Sequence, residues 1–223
     1  MNSFFNRDAI NLDITNKCTL DCPKCGRYVL TKLKNIPTNA FPGHMMTEDE
    51  FDKCLSQYDR FVICGQISDP ILHPQLPKFL EKIYRANKRC SVHVAASQKP
   101  KDFFLECFES NPTAAWYFGI DGLPEDSHKY RIRQDGEKLF DMMLESKNYI
   151  NKTVWQYIVF KYNQDDIEEA KAIANLYNIE LSLVYSSRWT GEDDPYKPSK
   201  DFRVERSNKQ KNYLKYMTAE NRT

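Results

Sequence analysis

Three thiols, Cys18, Cys22 and Cys25, follow a short apolar run at C-x3-C-x2-C spacing. Soft thiolates this close on one loop can hold three irons of a [4Fe–4S] cube and leave the fourth iron without a protein ligand. A substrate or cofactor can bind such an open iron, so the spacing points to chemistry. The competing use of three close cysteines is zinc, which needs a fourth Cys or His to close a tetrahedron. His44 and Cys54 are the nearest candidates, and neither lies at zinc-finger spacing.

A loop of this kind has to be held by regular elements. Short runs rich in aromatic and β-branched residues predict strands at Ile10 to Thr15, Arg60 to Gly65, Ser91 to Ala96, Ala115 to Asp121, Val154 to Lys161 and Glu180 to Tyr185. Between them, apolar residues recur at three- and four-residue intervals, predicting helices at Leu76 to Asn87, Asp102 to Glu109, Glu137 to Ile150 and Gln164 to Leu176. A capping box, Thr47-Glu48-Asp49-Glu50, opens a further helix running to about Tyr58. Six strands alternating with helices imply parallel βαβ units with right-handed crossovers. In such folds reactive groups gather on loops after the strands, and the cysteine loop follows the first one.

The cysteine loop resembles that of the radical S-adenosylmethionine (SAM) superfamily, in which SAM chelates the open iron. The resemblance implies an α/β fold, an open partial (β/α)6 barrel with a mainly parallel sheet. It also implies a reaction: one electron from a single [4Fe–4S] cluster breaks the C5′–S bond of SAM, and a 5′-deoxyadenosyl radical abstracts hydrogen from a substrate. The cluster would rest on Cys18, Cys22 and Cys25.

Two later segments extend the resemblance. Cys64-Gly65-Gln66-Ile67-Ser68-Asp69-Pro70 occupies the place of a Gly-Gly-Glu-Pro-type segment that holds the SAM amino group. Ile67 and Ser68 replace the glycines and Asp69 replaces the acid. On its own, Asp69-Pro70 reads equally as a turn in which Asp caps its own backbone. Phe118-Gly119-Ile120-Asp121-Gly122-Leu123, followed by Tyr130-Arg131, is similar to a segment of the peptide- and protein-modifying branch. There Gly119 stands where a SAM-contacting serine is usual, and Arg131 matches the arginine that pairs with the SAM carboxylate. Arg133 is an alternative.

Further along, Lys161, Asn163, Ser187 and Arg188 are expected at the barrel mouth, where polar groups of SAM or substrate need partners. The position between the last two cysteines, often aromatic in the superfamily, is Lys24, and Tyr28 is the candidate to stack near the adenine in its place. The candidate cofactor contacts are therefore Tyr28, Gly65, Asp69, Gly119, Asp121, Arg131, Lys161, Ser187 and Arg188.

Composition narrows the remaining classes. The chain has 223 residues and a formal net charge of +1, so overall electrostatics argue for neither nucleic acid nor membrane. It carries no signal-like N-terminus and no apolar run able to span a bilayer, which predicts a soluble cytoplasmic protein. Seven cysteines, an odd number of which only three cluster, fit a reducing compartment, with Cys54, Cys64, Cys90 and Cys107 read as small buried residues. Residues 1–189 read as one core domain. Residues 190–223 read as a polar tail with a short helix around Asn208 to Met217, and they hold no cysteine for a second cluster. Electrons are then expected from an external one-electron reductant of the flavodoxin or ferredoxin type, or from dithionite in vitro. A glycyl-radical activating enzyme, an enzyme acting on a small metabolite or nucleotide precursor, and a non-catalytic iron–sulfur or zinc module are the alternatives.

Overall fold

The computed structural model describes residues 8–37, 43–186 and 188–199. Six strands lie side by side in chain order: β1 Ala9–Leu12, β2 Arg60–Cys64, β3 Arg89–Val94, β4 Ala115–Gly119, β5 Lys152–Val159 and β6 Glu180–Tyr185. Every neighbouring pair is parallel, and β1 and β6 are not paired, so the sheet curls into an open partial barrel. The helices are α1 Gly26–Tyr28, which continues as a π-helical turn over Val29–Leu33, then α2 Glu48–Gln57, α3 Leu76–Arg85, α4 Lys101–Ser110, α5 Gly136–Ser146 and α6 Ile167–Leu176. None is long and apolar enough to cross a membrane among the described residues.

The core lies between the sheet and the helices. Alternate residues of the strands, Phe61, Ile63, Val92, Trp116, Phe118, Trp155 and Tyr157, are buried there. Against them α3 sets Phe79, Leu80 and Ile83, and α5 sets Leu139 and Met143. Phe51 of α2 stacks on Phe79 with centroids 4.2 Å apart, and Phe108 of α4 meets Trp116 edge-on at 4.8 Å. Each such side chain contributes about 1.5–3 kcal/mol on leaving water. The Thr47–Glu50 capping box forms as expected, with both of its reciprocal bonds present.

Strand starts agree with the sequence to within two residues, but five of the six strands end one to three residues early. The apolar pattern continues through Ala95, Ala96, Ile120 and Phe160 while ladder pairing stops. The reason lies in where the backbone donors go. The N–H groups of Ala95 and Ala96 donate to Asp69, that of Asp121 to Ser127, and that of Phe160 to Asn163. Buried side chains thus take over the ladder at the strand ends, and this is where the chain turns toward the site.

Candidate functional site

A cavity of about 390 Å³ opens among the C-terminal ends of the strands. Cys64, Gly65, Ser68 and Asp69 line one side and His93, Tyr117 and Gln156 its floor; Gly119, Tyr130 and Arg131 face Val184 to Ser186 and Arg188. The floor follows from register, since Cys64, His93 and Tyr117 are successive partners across β2, β3 and β4 on the face turned away from the helices. His93 stacks on Tyr117, with centroids 4.3 Å apart and planes 6° off parallel, and its Nδ1 lies 3.4 Å from Gln156 Oε1. Burial lowers the His93 pKa, which keeps the ring neutral.

The cysteine loop leaves the end of β1 beside this cavity. A tight turn brings the Cys25 N–H to the Cys22 carbonyl at 3.0 Å, and the Val29 N–H to the Cys25 carbonyl at 3.2 Å starts the helix. Neighbouring loops fasten it: Asp69 N–H donates to Lys17 O at 2.9 Å and Asp21 N–H to Ile132 O at 3.2 Å. Arg27 Nη1 donates to Asn16 O at 2.7 Å.

Burial, then the nearby Asp69, pushes the Cys18 thiol up to about 12. Burial likewise pushes Cys22 up to about 11, against the opposing Arg131 guanidinium that hydrogen-bonds it. The neighbouring Cys22 adds to the rise of Cys18, and the neighbouring Cys25 adds to that of Cys22. Metal-free Cys18 and Cys22 are therefore protonated at neutral pH, and loading a metal displaces those protons. Among the described residues, no three His, Cys, Asp or Glu side chains converge on one point as a single metal ion requires. A cube differs from zinc here, because it takes each thiolate on a separate iron. Three coupled thiols on one fastened loop beside a cavity fit that donor set.

Three of the four acceptor positions of the Asp69 carboxylate are taken by backbone donors. Its Oδ2 accepts from Ala95 N and Ala96 N, each at 2.7 Å, and its Oδ1 from Ile71 N at 3.1 Å. The side chain closes the turn its sequence suggested and also clamps the loop after β2 to the end of β3. Gly65 is obligatory in that loop, since a Cβ there would lie 2.1 Å from the Ser68 carbonyl oxygen. Asp13, just past β1, holds the other side, accepting from Gln66 N at 3.0 Å and Ser68 Oγ at 2.6 Å.

Burial raises Asp69 from its ordinary 3.8 to about 6 despite those donors. The folded chain therefore binds the proton more tightly than the unfolded chain, and stability falls as pH rises from about 4 to about 6. The full swing is about 3 kcal/mol at 1.36 kcal/mol per unit. Denaturant midpoints of the metal-free chain should decline across that window, and Asp69→Asn should flatten the decline.

Arg131 spans the gap between β4 and the cysteines. Its Nε donates to Asp121 Oδ2 at 2.7 Å, with side-chain exposures of 16% and 0%. Asp121 Oδ1 accepts from Ile158 N at 2.8 Å, which ties β4 to β5. Burial raises the Asp121 pKa, and the guanidinium works against that rise. The missing side chain of Gly119 makes the arrangement possible: a Cβ there would stand 2.9 Å from Arg131 Nη2. Gln134 completes the seam, donating to Ala95 O at 2.6 Å and Gly119 O at 2.8 Å.

Gly65, Asp69, Gly119, Arg131 and Arg188 thus meet around one cavity, with Asp121 directly behind Arg131. Lys161, expected at the same mouth, instead lines a separate cleft of about 590 Å³ with Tyr185, Glu192, Asp193 and Asp194. Asn163 is buried as a cap on β5, accepting from Phe160 N at 2.7 Å and donating to Ile158 O at 3.0 Å. Tyr28 is absent from the cavity lining and lies near Tyr196, whose pKa it helps raise after burial. Arg133 turns away to pair with Asp21 at 3.0 Å. Ser187 and the helix expected around Asn208 to Met217 lie outside the described residues.

Sequence reasoning missed His93, Tyr117 and Gln156. Their signal was present in strand alternation, where polar or amphipathic residues occupy the positions between buried Val92, Val94, Trp116, Phe118, Trp155 and Tyr157. It also missed Asp194. Lys24, between the last two cysteines, donates to Asp194 Oδ2 at 2.5 Å, and the same oxygen accepts from Thr190 N and Thr190 Oγ1, each at 2.8 Å. Burial alone would raise this carboxyl, but its bonds to Lys24, Thr190 and Tyr196 outweigh it and hold the pKa well below the usual range.

No family model matches the chain, and no curated protein does. Solved structures do. Streptococcus suis SuiB bound to S-adenosylmethionine superposes with a TM-score of 0.67 at 12% identity, over 94% of this chain and 46% of that one. Native anSMEcpe with bound AdoMet gives 0.59 at 13% identity, over 79% and 50%. TYW1 with a lysine-pyruvate adduct bound gives 0.54 at 14% identity, over 84% and 68%. At such identities the likeness is one of fold, which is the open partial (β/α)6 barrel of these structures. The chain spans about half the length of the SuiB and anSMEcpe chains it matches, at 46% and 50%.

Proposed function

We propose that the chain is a radical SAM enzyme, with a single [4Fe–4S] cluster on Cys18, Cys22 and Cys25 and SAM in the cavity beside them. The observation that carries this is a loop of three thiols after β1 in which Cys18 feels Asp69 and Cys22 is hydrogen-bonded by Arg131, two residues that line a strand-end cavity, in a fold shared with two structures that hold SAM. Cys18, Cys22 and Cys25 would hold the cluster, which when bound would supply the one-electron reduction of the SAM sulfonium that leads to hydrogen abstraction from a substrate.

The chain's own residues bind and orient. Arg131 is anchored through Nε on Asp121, which leaves the rest of its guanidinium at the cavity for the SAM carboxylate. Asp69 fixes the ends of β2 and β3, and the one acceptor position left on its Oδ1 is available to the SAM amino group. Gly65 keeps that edge of the cavity free of side-chain bulk. His93, Gln156 and Arg188 furnish polar groups for substrate. A peptide or protein side chain is the substrate class we favour. SuiB bound to its precursor peptide SuiA superposes over 96% of this chain, and anSMEcpe is seen with a Cp18Cys peptide. An external one-electron carrier would supply the electron.

Anaerobic reconstitution with iron and sulfide, followed by dithionite and SAM, should release 5′-deoxyadenosine. A cluster-loaded sample that forms none would sink the proposal. Zinc at one equivalent with no SAM affinity would favour a binding module instead.

A further inference from the structure

Lys24 is the single cation between Cys18 and Cys25, and it does not face solvent. Its side chain is 16% exposed and that of Asp194 is 0% exposed, with Nζ and Oδ2 at 2.5 Å. The Lys24 ammonium also reaches Thr190 Oγ1 at 3.3 Å and lies 6.0 Å from the Tyr196 ring centroid. Asp194 is held independently of Lys24. It accepts from Thr190 N and Oγ1 at 2.8 Å and from Tyr196 N at 3.0 Å, while Tyr196 O accepts from Lys161 N at 3.1 Å. The segment after β6 is thus knotted around one carboxylate, anchored just past the end of β5, and joined to the Lys24 side chain between two cysteines.

We propose that Asp194 is a positioning residue for the cysteine loop: through Lys24 it fixes the loop against the segment after β6 and cancels the charge beside the bound cluster. This rests on the radical SAM reading above. A buried charge left unpaired in a low-dielectric setting acts strongly on a neighbouring redox centre. Removing the carboxylate leaves a cation next to the cluster and favours the reduced, more negative state. Removing the ammonium leaves an anion, still held by Thr190 and Tyr196, and favours the oxidised state.

The test is a redox titration of the reconstituted chain by its cluster spectrum. Asp194→Asn should shift the reduction equilibrium at least tenfold toward the reduced form, about 59 mV for one electron. Lys24→Met should shift it in the opposite direction, Lys24→Arg should stay at the wild-type value, and Lys24→Met/Asp194→Leu should return close to it. In the cluster-free chain, amide exchange at Thr190 and Tyr196 should quicken in the two variants that lose Asp194 and stay near the wild-type rate in Lys24→Met and Lys24→Arg, since both amides donate to Asp194 itself. Unchanged potentials, or shifts of one sign in both single variants, overturn the inference while leaving the radical SAM reading intact. A wild-type chain that takes up no cluster overturns both.

Discussion

Alanine at any one of Cys18, Cys22 or Cys25 should reduce 5′-deoxyadenosine formation by more than roughly 100-fold, beyond the usual cost of losing an outer-shell partner of a metal site. Each thiolate serves one iron, so a missing cysteine leaves a second iron open and the cluster free to lose metal. Bound iron and the cluster's visible absorption should fall with activity in all three variants. Cys54→Ala is the matched control, because Cys54 is half-buried on α2 and belongs to no group of thiols. Equal iron loss in Cys54→Ala and Cys22→Ala, or product retained when Cys18, Cys22 and Cys25 are all replaced by alanine, would refute the assignment. The thiols' raised pKa values add a second readout. Loading must release protons that Cys18 and Cys22 hold at neutral pH, so iron uptake by the apo chain should accelerate with rising pH.

The parts that could be read in advance are those with a local signal. The β/α alternation is visible because each strand buries one face of aromatic and β-branched residues against an amphipathic helix, as Trp116 and Phe118 do against α4. The cysteine loop, Asp69 and Arg131 were visible because type and order alone mark them. What remained hidden depends on partners distant in sequence. Asp69 reads as a turn residue until Ala95 and Ala96 are seen donating to it from 26 and 27 residues away. Asp194 reads as one acid in a polar tail, and its partner Lys24 is 170 residues earlier. Gly119 reads as the loss of a serine contact, whereas in three dimensions it is the space that Arg131 occupies. Lys161 and Asn163 were placed by strand-end register, and β5 ends at Val159, so both fall on the turn beyond it.

Arg131→Met should destabilise the metal-free chain by about 3–5 kcal/mol, the usual cost of breaking a buried ion pair by removing one partner. The estimate follows from where Asp121 sits. Its side chain is fully buried, one oxygen is spent on Ile158 N at 2.8 Å, and Arg131 Nε is the cation on the other at 2.7 Å. Without the guanidinium the carboxylate has no counter-charge, and burial already favours its protonated form. The variant can therefore escape part of the penalty by taking up a proton, so the loss should be larger at pH 8 than at pH 5 in urea melts. Asp121→Asn/Arg131→Met should recover much of the stability, because the uncompensated charge, rather than lost packing, carries the cost. SAM affinity of the reconstituted protein separates the two duties of this arginine. The double variant should regain stability yet still bind SAM weakly, since the cavity has lost the guanidinium that faces the carboxylate. A double variant that recovers both stability and SAM affinity would show that Arg131 serves only to neutralise Asp121, and the ligand's carboxylate would have to be met by Arg188 on the opposite wall.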